Sequence, residues 1–196
     1  MSNATETIIS AIKNRRSVFP KDYSDEVIAR EVIEEILECA NWAPTHRFTE
    51  PWRFSVFTGK GLEQLAQFQA NLYKQVSTEE GTFKEATFDK LLKKPLMASH
   101  VISIGMHRDP EHRVPEVEEV AAVACAVQNM YLAAHAHGLG CYWGSGGITY
   151  LPEANDFFGL GPEGKLLGFF FLGVPDMDRE PRSVRKPIAD KVRWVE

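Results

Sequence analysis

Five stretches of the chain carry apolar residues at the spacing of an amphipathic helix. The first places Ile8, Ile9 and Ile12 on one helical face. The last is followed by Gly138, and glycine favours the position just after a helix terminus. The pattern therefore predicts five helices, over residues 5–14, 24–42, 61–75, 83–93 and 115–137.

Four other stretches are typical of β-strands. In PWRFSVFTG, residues 51–59, Trp52 and Phe54 point to one face and the polar residues between them to the other. The remaining three are 101–106, GCYWGSGG at 140–147 and the apolar run LLGFFFLGVP at 166–175. A continuous apolar run indicates a strand in the middle of a covered sheet. Because helices and strands do not strictly alternate, we expect α+β layers.

The composition is that of a globular protein, with 44% hydrophobic and 25% charged residues. A length of 196 residues predicts a single domain, which we place at 5–196 after a polar N-terminal tail at 1–4. The net charge of −5 disfavours non-specific binding to nucleic acid or to an anionic membrane. No secretory leader or clean membrane span is evident, so we expect a soluble, cytoplasmic protein.

The three cysteines are widely spaced and form no CxxC pair. We expect all three, Cys39, Cys125 and Cys141, to be buried and reduced. Cys125 lies in VAAVACAVQNMYLAA, which we expect to form a helix buried in the core. The close histidine pair, His135 and His137, points to opposite sides of that helix and cannot share one metal ion. We therefore predict no metal site.

Common catalytic motifs such as GxGxxG, GxxxxGK[ST], HExxH and GxSxG do not occur. Basic residues instead cluster near the two ends of the chain. Arg15, Arg16 and Ser17 follow the first helix, and the C-terminal segment carries Arg182, Ser183, Arg185 and Lys186. Guanidinium and hydroxyl groups suit a phosphate. Each cluster alone is more typical of a solvated surface, and the first could also complement the dipole of the helix that it follows.

Five segments in the same order make the chain resemble the FMN-dependent nitroreductase family, and more closely its compact nitroreductase-like subgroup. They are IKNRRSV, ECANWAPTHRFTEPWRF, LGCYWGSGG, LGFFFLGVP and RSVRKPIADKVRW. The resemblance implies a three-layer α/β/α fold with a mostly antiparallel central sheet. It also implies an intertwined homodimer that binds FMN at the interface with residues from both chains.

The resemblance carries FMN-binding roles onto ten positions. Arg15, Ser17 and Arg185 would contact the phosphate, with Arg16 close to it or to the ribityl chain. Trp42 and His46 would contact the flavin, Trp42 from the partner chain. The turn WGSGG would cover one edge of the ring through Trp143, Gly144, Ser145 and Gly146.

Two positions depart from the family pattern. Many relatives have Asn where this chain has Phe48, so a direct hydrogen bond to the flavin is not expected there. Some relatives place a lysine near the flavin N1/O2 edge, where this chain has Phe19. Arg15, Arg16, Lys90 or Lys94 are the alternatives for a positive charge at that edge, and the sequence does not choose among them.

The implied activity is transfer of hydride from NAD(P)H through flavin N5 to a nitroaromatic, a quinone or a similar small acceptor, in two half-reactions. No side chain is then needed as a catalytic residue, because the cofactor supplies the chemistry. Two alternatives stay open. One is different chemistry on the same fold, such as dehalogenation, enone reduction or flavin fragmentation. The other is a non-catalytic flavin-binding or redox-sensing protein.

Overall fold

The computed structural model describes residues 3–178, 181 and 183–196. Its centre is a four-stranded sheet in the order β1-β2-β4-β3, and all three strand pairings are antiparallel. The fourth strand is almost wholly buried between two neighbours, as its apolar sequence predicts. The strands are β1 (Trp52–Thr58), β2 (His100–Met106), β3 (Gly140–Gly144) and β4 (Lys165–Gly173).

Helices cover both faces of the sheet and so create two separate cores. On one face, α2 and α5 pack over Ile102 and Phe170. On the other, α3 packs over Val101 and Phe169. This confirms the predicted α/β/α layers. The helices are α1 (Ala4–Asn14), α2 (Arg30–Asn41), α3 (Lys60–Glu79), α4 (Glu85–Lys93) and α5 (Glu116–Ala136).

The second helix was predicted wrongly at its start, because α2 begins at Arg30 rather than near Ser24. The preceding residues are bound to the end of the sheet instead. The Ser24 backbone N–H donates to the Val174 carbonyl at 2.9 Å. The Ile28 N–H donates to the Ser99 hydroxyl at 2.8 Å. These tertiary hydrogen bonds hold residues 24–29 in an extended path that periodicity alone does not reveal.

The longest helix is not buried all round, contrary to the prediction for its apolar segment. One side of the segment at 120–134 faces the sheet, but Cys125 within it is exposed. Cys39 is only partly buried, so Cys141 is the one cysteine of the three that matches the expectation. Among the described residues, none of the helices is both long enough and apolar enough to span a membrane.

A buried histidine makes the stability of the fold depend on pH. His100 begins β2, and burial lowers its pKa below the ordinary value of 6.5. Its Nδ1 lies 2.9 Å from the Ser99 hydroxyl, which accepts the Ile28 N–H. The hydroxyl can donate its own proton to Nδ1 when the imidazole is neutral.

We predict that this histidine destabilises the protein below neutral pH. The unfolded chain takes up the proton near pH 6.5 while the folded chain resists it, so stability is full above that pH and falls below it. The loss reaches at most about 1.4 kcal/mol per pH unit for one proton. Urea unfolding at pH 7.5 and 5.5 measures it. Equal pH dependence in wild type and His100→Gln would show that His100 is not responsible.

Candidate functional site

The outer edge of β3 is where the predicted N-terminal site residues meet the glycine turn. β3 is an edge strand, so one side of its backbone lacks a strand partner. The segment after α1 runs along that side, and the Val18 N–H donates to the Cys141 carbonyl at 3.0 Å. This pairing brings Arg15 and Ser17 next to the strand that carries Trp143.

Arg15 is partly buried, and one of its guanidinium nitrogens is buried without a hydrogen-bond partner. Its guanidinium carbon lies 4.6 Å from the centre of the Tyr131 ring, and its Nη1 is buried and unpaired. A buried donor without an acceptor is rare in folded proteins, because leaving it unpaired costs free energy. The arrangement therefore suits an anionic ligand that supplies the missing acceptor.

Tyr131 connects this arginine to β3. Its hydroxyl accepts the Trp143 backbone N–H at 2.6 Å, and the Ser17 side chain is a further hydrogen-bond partner. Burial raises the pKa of Tyr131, so the phenol stays protonated at neutral pH. The Tyr131 side chain thus contacts the Arg15 guanidinium, the Ser17 hydroxyl and the backbone of β3.

Arg16 has a different role from its neighbour. Its Nη1 donates to the carbonyls of Lys13, at 2.6 Å, and Arg15, at 3.0 Å. These contacts satisfy carbonyl groups at the end of α1 and place a positive charge at the negative end of the helix dipole. The helix-dipole explanation of the basic cluster therefore applies to Arg16, which stabilises the end of α1. The anion-binding explanation applies to Arg15, whose Nη1 is unpaired.

The glycine turn after β3 has open space at Gly146, where a Cβ atom would meet nothing within 4 Å. Gly146 and Gly147 both have positive φ, 151° and 61°, which favours glycine. Thr149 closes the turn, since its hydroxyl donates to the Gly146 carbonyl at 2.8 Å. A Cβ atom at Gly144 would lie only 2.7 Å from the Tyr142 ring, so glycine is needed there for the ring to pack against the backbone. Ser145 between them is exposed.

A lysine from another element lies beside the same turn. The Lys94 ammonium is 4.5 Å from the ring centre of Tyr142 and 4.4 Å from that of Phe171. Burial and the charge of Lys90 lower the pKa of Lys94 to about 8. The ring of Phe19, which stands where a family lysine was sought, is 4.6 Å from Tyr142. Of the four alternatives for a nearby positive charge, Lys94 is therefore the one whose ammonium packs against the rings of β3 and β4 beside this turn.

The other predicted site residues lie elsewhere in the protomer. Trp42 follows α2 with 79% of its surface exposed, and His46 Nδ1 pairs with Glu118 at 2.5 Å. The loop between them and β1 is strained, because Arg47, Phe48 and Glu50 all have positive φ. Such strain is concentrated at functional sites in other proteins.

The C-terminal part of the predicted phosphate site is also separate from Arg15. The hydrogen bonds of Arg185 go to its own segment, to the Ser183 hydroxyl and the Val184 carbonyl. Arg182 lies outside the described residues. The structure therefore brings Arg15, Ser17, Trp143 and the glycine turn together, while it leaves Trp42, His46 and Arg185 apart from them.

The sequence matches the model of the Nitroreductase family over residues 12–174. It is 32% identical to an Escherichia coli K12 protein named "Putative NAD(P)H nitroreductase YdjA", over 84% of this chain and 86% of that one. The identity is also 32% to "Putative NAD(P)H nitroreductase YfhC" of Bacillus subtilis, over 92% and 90% of the two chains. The chain belongs to the nitroreductase family.

Solved structures show the same fold. A nitroreductase-like family protein from Bacillus cereus superposes with a TM-score of 0.81 at 30% identity, covering 100% of this chain and 99% of that one. A Desulfovibrio desulfuricans structure in complex with FMN gives a TM-score of 0.72 at 26% identity, with 100% and 99% covered. The predicted nitroreductase-like fold is confirmed.

Tyr131 is the site residue that sequence reasoning missed in this family member. The residues assigned from the resemblance lie at turns and near the ends of helices and strands, whereas Tyr131 lies within α5. A phenol in the mostly apolar segment at 120–134 was the available signal, because a buried hydroxyl needs a hydrogen-bond partner.

We predict that Tyr131→Phe destabilises the unliganded protein by about 1–2 kcal/mol. The ring under Arg15 remains, but the Trp143 N–H loses its acceptor. Tyr150→Phe removes the same atom from a side chain that is 75% exposed and should change stability little. Urea unfolding of both variants measures the difference, and equal effects would show that the Tyr131 hydroxyl does not support the strand edge.

Proposed function

We propose that this protein is an FMN-dependent oxidoreductase that uses NAD(P)H to reduce nitroaromatics, quinones or similar small acceptors. The buried, unpaired Nη1 of Arg15 is the observation that carries the proposal. It lies with Ser17 beside a glycine turn, in a family whose relatives include proteins named NAD(P)H nitroreductases and a structure in complex with FMN.

The described residues fit the two ends of FMN. Arg15 supplies a guanidinium donor for the phosphate, and Ser17 a hydroxyl beside it. Within the glycine turn, the backbone at Gly146 is accessible to a planar ring, since a Cβ atom there would meet nothing within 4 Å. Trp143 is fixed behind the turn, because its indole N–H donates to the Leu167 carbonyl at 3.1 Å.

FMN, when bound, supplies the hydride chemistry by accepting a hydride from NAD(P)H and passing it to the acceptor. The protein chain would position the cofactor and supply positive charge beside it. The ammonium of Lys94 would stabilise negative charge that develops near the glycine turn, as a cation beside a reduced flavin does. Its pKa of about 8 keeps it mostly protonated at neutral pH.

The proposed site is completed by a second copy of this chain. No residue of α1 is buried, and Ile8 on its surface is 59% exposed. The C-terminal segment also exposes large apolar side chains, including Trp194 at 84%. Extensive exposed apolar surface is typical of an interface rather than of a free monomer. A homodimer would cover these surfaces and bring Trp42, His46 and Arg185 of one chain to the flavin of the other.

We predict that Arg15→Ala weakens FMN binding by about 1.5–3 kcal/mol, the contribution of a charge-assisted hydrogen bond. Riboflavin, which lacks the phosphate, should bind wild type and variant equally. Arg16→Ala removes the same charge one residue away and should cost less, because its guanidinium bonds the end of α1. Fluorescence titration of the apoprotein measures all six affinities. Equal losses for FMN and riboflavin would contradict a phosphate contact at Arg15.

We predict that the C-terminal segment is required for both flavin and dimer. Deleting the chain from Pro181 onward should give a colourless monomer, since the apolar side chains that cover the partner are lost. Arg185→Ala should weaken FMN binding by about 1.5–3 kcal/mol yet remain dimeric. Light scattering and flavin absorbance separate the two effects. A truncated protein that stays yellow and dimeric would refute the role of this segment.

A further inference from the structure

Tyr23 packs against the end of the sheet next to the candidate site. A Cβ atom at Gly140 would lie 2.8 Å from the Tyr23 ring, and one at Gly173 would lie closer still. Both positions, at the start of β3 and the end of β4, therefore need glycine for the ring to approach the backbone. Burial raises the pKa of Tyr23, so its phenol stays protonated and can donate a hydrogen bond.

The backbone around Tyr23 is bound to the chain that leaves β4. The Asp176 N–H donates to the Asp22 carbonyl at 2.9 Å, and Tyr23 itself forms an isolated antiparallel bridge with Pro175. These contacts hold the tyrosine in place without any contribution from residues 15–17. A tyrosine fixed by both its ring and its backbone can position the group that its hydroxyl contacts.

The Tyr23 hydroxyl contacts the segment that carries Arg15 and Ser17. It donates to the Val18 carbonyl at 2.7 Å, and the Phe171 carbonyl lies 3.3 Å from the same oxygen. Val18 is buried, so its carbonyl needs a donor from within the protein. Its N–H is bonded to β3, so the tyrosine hydroxyl completes the pairing of both Val18 backbone groups.

Residues 15–17 are therefore held at both ends. At one end, the Arg15 N–H donates to the Ala11 carbonyl at 2.9 Å and closes α1. At the other end, the backbone of Val18 is bonded on both sides. Consecutive Cα atoms are only about 3.8 Å apart, so any shift of Val18 also displaces Ser17. The position of the segment thus depends on the contacts of Val18.

We propose that Tyr23 is a positioning residue for the phosphate of FMN. It acts through Val18, and its hydroxyl holds Arg15 and Ser17 in their binding conformation before the cofactor arrives. A preorganised site binds more tightly, because less conformational freedom is lost on binding. The inference rests on the proposed function, in which Arg15 and Ser17 contact the phosphate.

Hydrogen exchange of the unliganded protein tests the contact without any cofactor. Tyr23→Phe keeps the ring on its glycines and removes the hydroxyl. We expect the Val18 amide to exchange about five- to tenfold faster, since the segment opens locally with one hydrogen bond fewer. Unchanged exchange of this amide would overturn the proposal.

Tyr73→Phe is the matched control for this variant. The Tyr73 hydroxyl also binds a backbone group, because it accepts the Lys84 N–H at 3.1 Å. Its loss should lower the Tm but leave the exchange of the Val18 amide unchanged. Equal acceleration in Tyr73→Phe and Tyr23→Phe would show a general loss of stability and would refute a local role for Tyr23.

Flavin binding tests the positioning role itself. Fluorescence titration of the apoproteins should show the FMN affinity of Tyr23→Phe lowered about three- to tenfold. Its affinity for riboflavin, which lacks the phosphate, should stay within about twofold of wild type. Tyr73→Phe should change the two affinities by equal factors. A merely structural role predicts a lower Tm for Tyr23→Phe with an unchanged ratio of FMN to riboflavin affinity, and that result would refute the assignment.

A double-mutant cycle tests whether the effect passes through the phosphate contacts. In an Arg15→Ala/Ser17→Ala background, Tyr23→Phe should no longer lower the FMN affinity, because the groups that it positions are gone. A loss as large as in wild type would contradict this route. Wild-type apoprotein that binds neither flavin would overturn the proposed function and this role together. Flavin binding by wild type with an unchanged ratio in Tyr23→Phe would overturn the role alone.

Discussion

The free edge of β3 is the constraint on which the candidate site depends. An edge strand needs partners for its backbone groups, and here the Val18 N–H and the Tyr131 hydroxyl provide them. Both partners belong to segments that also carry or contact Arg15. Covering the strand edge and placing a guanidinium beside it are therefore achieved by the same contacts.

Two buried polar groups near this edge are unpaired in the protomer, Arg15 Nη1 and Gln69 Nε2. The other buried side-chain polar atoms of the described residues are matched, as where Glu119 accepts hydrogen bonds from the Arg108 side chain and the Asp109 backbone. The contrast is informative because unpaired buried donors cost stability wherever they occur. Departures from full pairing are expected at functional sites, where a ligand completes the network.

Much of the fold follows from local patterns, and the rest depends on contacts between distant segments. Local patterns predicted the four described strands, from the alternation of apolar and polar residues in β1 to the continuous apolar run in β4, which is buried on both faces. The start of α2 was missed because Ser24 and Ile28 bond to residues far along the chain. Arg15 and Ser17 were found through a short motif. Tyr131 and Gln69 belong to no motif, so only their neighbours in the folded structure indicate a role.

The central claim is that this chain binds FMN and accepts electrons from a nicotinamide nucleotide. The visible absorbance spectrum of the purified protein, recorded anaerobically before and after addition of NADH and then NADPH, tests it most directly. The account predicts two flavin bands that bleach rapidly with at least one of the two donors. A colourless protein that takes up no added FMN, or bound flavin that neither donor reduces, would contradict it.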